Sequence, residues 1–284
     1  MKGKKVAVIG AGVMGCDLAL DLSSHDYAVI LKDLTAEVLQ KAEQNIQKNF
    51  KFIKMMKTDF PFSIEELLSR IKFVTDYSEF HDTEIVIENI SEIFAEKKKL
   101  YSELRDICRE DTLYGVNTSC ITISKIAALL PRPENVIGMH FLNPVPLKNL
   151  VEVIKGFQTS AQTLERTKDF LGSLNKTWVV VNDAPGFVAN RVLMLTINES
   201  IRVVQEGITE AKDVDKIFRL GFGHKMGPLA TADLIGLDTI RDSLQVLYES
   251  YNDPKYLPCP LLQKMVKDGI LGKKTGRGFF VYEY

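Results

Sequence analysis

Apolar residues follow two different rhythms along this chain. In the first part, short β-branched runs recur: Lys5-Val6-Ala7-Val8-Ile9, Tyr27-Ala28-Val29-Ile30-Leu31-Lys32, Ile71-Lys72-Phe73-Val74, Glu84-Ile85-Val86-Ile87, Leu113-Tyr114-Gly115-Val116 and Val136-Ile137-Gly138-Met139. Continuous runs of this length read as strands covered on both faces. Between them the apolar positions take helical spacing, after Cys16, over 36–57 with Lys on the outer positions, and around 94–108 and 122–130. Ser63 with Glu66 three residues on is a capping box for a short helix. Trp178-Val179-Val180-Val181 reads as the last strand. Strand alternating with helix predicts an α/β domain built on a Rossmann-type, doubly wound, mostly parallel sheet.

The pattern changes at Asp183-Ala184-Pro185-Gly186. Beyond it, amphipathic helices are predicted over Phe187–Glu206 and Leu229–Tyr248, and Gly227-Pro228 places a proline where a helix can begin. With 284 residues there is room for two domains. The expected division is 1–183, nucleotide-binding, and 184–284, a smaller all-α domain.

Gly10-Ala11-Gly12-Val13-Met14-Gly15 lies between the first strand and the first helix, the context that gives glycines at this spacing a meaning. Gly10 permits the tight turn, Gly12 lets a pyrophosphate approach, and Gly15 lets helix and strand pack closely. Val13 and Met14 open the helix, whose N–H groups face the phosphates. Asp33 ends the second strand, where a carboxylate bonds the adenosine ribose and repels the extra phosphate of NADP. Lys32 beside it partly offsets that repulsion. The expected cofactor is NAD.

Charge and composition remove several classes. With 36 basic against 37 acidic side chains, nothing points to nucleic acid or an anionic membrane surface as a partner. No run of about 18 apolar residues could span a bilayer. Met1-Lys2-Gly3-Lys4-Lys5 leads into an apolar segment too short for a signal peptide, so a cytoplasmic location is expected. Cys16, Cys108, Cys120 and Cys259 have no metal-ligand spacing, and no metal is expected. Of the four histidines, His25, His81, His140 and His224, only His140 follows a sheet strand directly, where ligands of open α/β sheets bind. A lone histidine there suits a structural role as well as a catalytic one.

The stretch Gly138-Met139-His140-Phe141-Leu142-Asn143-Pro144-Val145-Pro146 with Leu150-Val151-Glu152-Val153-Ile154 resembles the signature of the 3-hydroxyacyl-CoA dehydrogenase family. So do Asn117-Thr118-Ser119, Asp183-Ala184-Pro185-Gly186-Phe187-Val188-Ala189-Asn190-Arg191, Met226-Gly227-Pro228, Asp233-Leu234-Ile235-Gly236-Leu237-Asp238 and Gly272-Lys273-Lys274-Thr275-Gly276-Arg277-Gly278-Phe279. The likeness runs in order from the first strand to the end of the sequence. It implies an NAD-dependent enzyme that interconverts a short 3-hydroxyacyl thioester and its 3-oxoacyl form. His140 would take the hydroxyl proton, with Glu152 holding the imidazole and Ser119 and Asn190 bonding substrate oxygens. Asn117, Ser119, Asn143, Glu92, Lys97 and Lys274 match family positions at the cofactor, and family members form homodimers through the helical domain.

Four features depart from the family pattern: polar residues in Glu88-Asn89-Ile90-Ser91-Glu92, Cys120 after Ser119, Lys225 before Met226, and Asp17 where glycine is common. Asn89, Ser91 and Lys225 suggest a short, polar acyl group. Lys41, Lys48, Lys51, Lys54 and Lys57 could meet either coenzyme A phosphates or the acidic face of an acyl carrier protein bearing 3-hydroxyacyl or glyceryl groups. A dehydrogenase of free hydroxy acids and a non-catalytic NAD-binding relative are the remaining alternatives.

Overall fold

The structure, a computed structural model, describes residues 4–57 and 59–283. The chain divides into two compact units, with the break between Ala184 and Pro185.

The N-terminal unit begins with β1 (Lys5–Ile9), α1 (Val13–Ser24), β2 (Ala28–Lys32) and α2 (Ala36–Met56). It continues through α3 (Ile64–Ser69), β3 (Ile71–Val74), β4 (Ile85–Glu88), α4 (Phe94–Leu104), β5 (Leu113–Val116) and α5 (Ile123–Ala127). Then come β6 (Val136–Phe141), β7 (Leu150–Lys155), α6 (Ala161–Ser173) and β8 (Thr177–Asn182). The eight strands form one sheet in the order β3-β2-β1-β4-β5-β6-β7-β8. Neighbouring strands pair in parallel except β6 with β7, which run antiparallel. This is the Rossmann-type doubly wound arrangement, with its switch point between β1 and β4, where adjacent chain crossovers leave a crevice. Val6, Val8, Leu31, Ile87 and Ile137 are completely buried in the core, which is why their strands carry no polar alternation. The Ser63 hydroxyl accepts from the Glu66 N–H and starts α3.

The C-terminal unit is helical: α7 (Ala189–Gln205), α8 (Ala211–Gly221), α9 (Pro228–Ile235), α10 (Leu237–Tyr251) and α11 (Pro260–Lys267). Its core gathers Met194, Ile197, Leu229, Leu237, Leu244 and Leu262. Among the described residues no helix is long and apolar enough to cross a membrane.

Two sequence expectations change. The single helix over 229–248 is two, because Gly236 takes φ +105°, a backbone state that ends α9 and opens α10. His140 does not follow its strand; β6 runs on to Phe141 and holds it in register against β7, a strand that the apolar pattern did not reveal.

Candidate active site

The carboxyl edge of the sheet carries the glycine turn. Gly10 has φ +94°, and a Cβ added there would lie 2.7 Å from the Asn89 carbonyl oxygen. One at Gly15 would fall 1.8 Å from the Gly10 oxygen, so α1 packs on the turn at a distance only glycine permits. Gly12 has nothing within 4 Å of such a Cβ. That open space, beside a helix start with neither a side-chain cap nor an acid in its first turn, fits a pyrophosphate. Val13 is exposed there, while Met14 packs inward against the core. Asp33 is fixed by two backbone donors, Ala11 N–H to Oδ2 and Leu34 N–H to Oδ1, each at 2.6 Å. A groove of about 510 Å³ opens here, lined in part by Gly10, Gly12, Lys32, Asp33, Tyr77 and Lys99. Asn89 and Ser91 line it too, so their polarity bears on the nucleotide site rather than on an acyl pocket.

β6 runs parallel to β5, so its carboxyl end lies on the same edge as the glycine turn. His140 and Glu152 are direct cross-strand partners of the β6–β7 pair. Residues facing each other across an antiparallel pair project on one face. Their side chains therefore meet, His140 Nδ1 to Glu152 Oε2 at 3.0 Å, with both nearly buried. A carboxylate at Nδ1 accepts a hydrogen bond from the Nδ1–H, orients the ring and favours the tautomer in which Nε2 can accept a proton.

Ser119 sits in the loop after β5, and Glu92 organises that loop. Glu92 Oε1 accepts from the N–H groups of Ser119, Cys120 and Ile121 at 3.1, 2.8 and 3.0 Å, and from the Thr118 hydroxyl. Lys97, expected to touch the cofactor, has no exposed side-chain surface. Its ammonium donates to both oxygens of the buried Glu88 at 2.6 and 2.7 Å and lies 4.0 Å from Glu92. Lys97 is thus an internal counter-charge to Glu88. Burial pushes the Glu88 carboxyl up, and the Lys97 ammonium opposes that shift.

Asn117 ties the strand ends together: its Oδ1 accepts from Phe141 N–H at 3.1 Å and its Nδ2 donates to Asn89 Oδ1 at 2.6 Å. The exposed Asn143 lies in the loop from β6 to β7, which is anchored from beneath. Asp17 accepts Val145 N–H at 3.2 Å and Asn49 Nδ2 at 2.7 Å. Lys176 donates to the carbonyls of Val145 and Lys148 at 2.7 and 3.0 Å and pairs with buried Asp21 at 2.9 Å. Sequence reading missed the pairing of Glu88 with Lys97 and the anchoring role of Lys176. The one usable signal was a glutamate ending the apolar run Ile85-Val86-Ile87, since such a charge requires a partner.

In the C-terminal unit, Asn190 lies in the first turn of α7, and Lys274 pairs with Asp238 at 2.5 and 2.6 Å. The glycine-rich motifs there have structural reasons. Asp215 receives the N–H groups of Leu229 and Ala230 at the start of α9, and a Cβ at Gly227 would strike it at 2.2 Å. Buried Asp233 accepts from the N–H groups of Phe279 and Phe280, with Gly278 giving it room. In the N-terminal unit, Asp183 caps α5 through the N–H groups of Ile123 and Ser124.

A dinucleotide crevice with a carboxylate-held histidine on the same sheet edge defines an NAD-dependent oxidoreductase. The chain belongs to the 3-hydroxyacyl-CoA dehydrogenase family: residues 5–184 match that family's NAD binding domain and residues 186–282 its C-terminal domain. It is 42% identical to the probable 3-hydroxybutyryl-CoA dehydrogenase of Bacillus subtilis, across 100% of this chain and 99% of that one. It is 39% identical to the 3-hydroxybutyryl-CoA dehydrogenase of Clostridioides difficile, across 98% and 99%. The crystal structure of (S)-3-hydroxybutyryl-CoA dehydrogenase PaaH1 from Ralstonia eutropha superposes with a TM-score of 0.91 at 37% identity, covering 100% of both chains.

Proposed function

We propose that the protein interconverts a short-chain 3-hydroxyacyl-CoA and its 3-oxoacyl form. The observation that carries this reading is the His140–Glu152 pair, nearly buried beside a nucleotide crevice. Held by the glycine turn and Asp33, NAD would supply the acceptor for the hydride leaving C3 of the substrate. His140 Nε2 takes the hydroxyl proton as the ketone forms, and Glu152 stabilises the resulting imidazolium. Ser119, on its Glu92-bound loop, is assigned a bond to a substrate oxygen. Asn190 receives the same role, and Asn143 and Lys274 their places at the cofactor, from the family pattern alone. Glu92 is assigned to the cofactor through its partly exposed carboxylate.

The exposed Lys41, Lys48, Lys51 and Lys54 on α2 support coenzyme A as the carrier, its phosphates meeting the positive face. The same face, with exposed Phe52, Met55 and Met56, also suits an acidic acyl carrier protein. A panel read by NADH absorbance separates the readings: acetoacetyl-CoA, a carrier-bound 3-oxoacyl thioester and free acetoacetate. Turnover of acetoacetyl-CoA above the others supports the proposal, whereas activity confined to the carrier-bound or free acid overturns it. Exposed Ile208, Ile217, Leu220 and Phe222 in the C-terminal unit support a homodimer formed through that unit, and a monomer by light scattering at micromolar concentration would contradict it. Four free cysteines suit a reducing compartment, in accord with a cytoplasmic site.

A further inference from the structure

The nucleotide groove contains a cation that dinucleotide binding does not require. Lys32 closes β2 immediately before Asp33 and is only 5% exposed. It lines the groove, with its ammonium 4.4 Å from the centroid of the Tyr77 ring, another lining residue. Its field reaches the exposed Asp76, but among the described residues no carboxylate forms an ion pair with it and no acceptor takes its hydrogen bond. Leaving so buried a charge without a partner has a cost. The aromatic face of Tyr77 offsets part of that cost. Asp33, whose oxygens accept from the Ala11 and Leu34 N–H groups, forms no ion pair with it.

We propose that Lys32 is a specificity-determining residue that limits how strongly the enzyme prefers NAD to NADP. Asp33 stands where the adenosine ribose binds, and its negative charge opposes a 2′-phosphate. Lys32 adds a positive charge to the same groove wall, and its burial protects that charge from the salt screening that weakens an exposed lysine. The effect is selective because the two cofactors differ only in the phosphate. Removing the cation weakens the ligand that carries the extra negative charge more than the ligand that lacks it. NAD stays the preferred cofactor, and Lys32 sets the margin.

The test uses the adenosine ends of the cofactors, so it does not depend on the acyl substrate or on His140. Titration calorimetry on the full chain gives Kd for 5′-AMP and for adenosine 2′,5′-bisphosphate, and their ratio measures discrimination against the 2′-phosphate. Lys32→Gln and Lys32→Met should each raise that ratio about tenfold over the unsubstituted protein, with Lys32→Arg staying within about twofold. Using two neutral variants keeps the comparison available if one does not fold, and Trp178 fluorescence reports folding of the unit concerned. The kcat/KM ratio for NADH over NADPH should move in the same direction. A ratio that rises less than about threefold in the neutral variants, because both ligands weaken equally or neither does, overturns the proposal.

Discussion

Replacing Asp17 tests how the loop that follows the histidine strand is held. Asp17 is 3% exposed and joins three elements: α1, which carries it, α2 through Asn49, and the β6–β7 loop through Val145. In Asp17→Ala the Val145 N–H loses its acceptor in a place water does not reach, costing about 1–3 kcal/mol. Asn49 is only half-buried and recovers a partner in water, so it adds little. Asp17→Asn keeps an oxygen for Val145, and Asn49 can turn its own oxygen toward the new amide, so this variant should stay within about 1 kcal/mol of the parent.

The pH dependence of Asp17 adds an independent sign. Burial pushes its carboxyl above the ordinary value of 3.8, despite the hydrogen bonds from Val145 and Asn49 that lower it. The folded state therefore holds this proton more tightly than the unfolded state. Its contribution to stability is greatest below the unfolded value and is lost as pH rises through the raised folded one. Asparagine has no such proton, so Asp17→Asn should gain on the parent as pH rises from about 4 toward 7. Urea unfolding followed at Trp178, the only tryptophan and part of β8, reads the unit that contains Asp17. An alanine variant as stable as the parent would refute this account of the loop. So would an asparagine variant that loses stability relative to the parent over that pH range.

Three further substitutions follow from the network. Lys97→Met strands the buried Glu88 carboxylate and should cost about 3–5 kcal/mol in Trp178-monitored unfolding, with the double variant Glu88→Gln/Lys97→Met recovering most of it. Glu92→Ala removes the acceptor shared by the N–H groups of Ser119, Cys120 and Ile121. Turnover should fall about tenfold to a hundredfold as the Ser119 loop loosens, and Glu92→Gln, which keeps the oxygen, should restore most of it in the NADH assay. Asp233→Ala frees the N–H groups of Phe279 and Phe280 and should destabilise the C-terminal unit by about 2–3 kcal/mol in circular-dichroism melts, leaving the Trp178 transition in place.

The parts of the fold that were readable had local causes. Buried strands appear as uninterrupted Val and Ile runs, and Gly10, Gly12 and Gly15 stand at fixed spacing between a strand and a helix, so both are visible in the linear pattern, although the contact that demands glycine at position 10 comes from the distant Asn89. Glu152 was different: it came only through family resemblance, because its relation to His140 is a cross-strand register. β7 carries that glutamate inside an apolar run, and nothing local says that the strand turns back antiparallel. The family pattern puts Lys97 at the cofactor, and sequence position alone does not show that its ammonium is sealed against Glu88. Gly236 sat in a credible helical pattern, and only its positive φ reveals the break. Asp17 was noted as an unusual residue, but its partners, Asn49 and Val145, lie 32 and 128 positions away.

The central claim is that His140, held by Glu152, moves the proton while NAD accepts the hydride. Single-turnover reduction of acetoacetyl-CoA by NADH, with NADH binding measured in parallel by fluorescence, tests it most directly. His140→Ala should slow the chemical step by about 10²–10⁴-fold, and Glu152→Gln should slow it substantially, while NADH still binds within about twofold of the parent. A His140→Ala enzyme that reduces acetoacetyl-CoA at the parent rate would contradict the account.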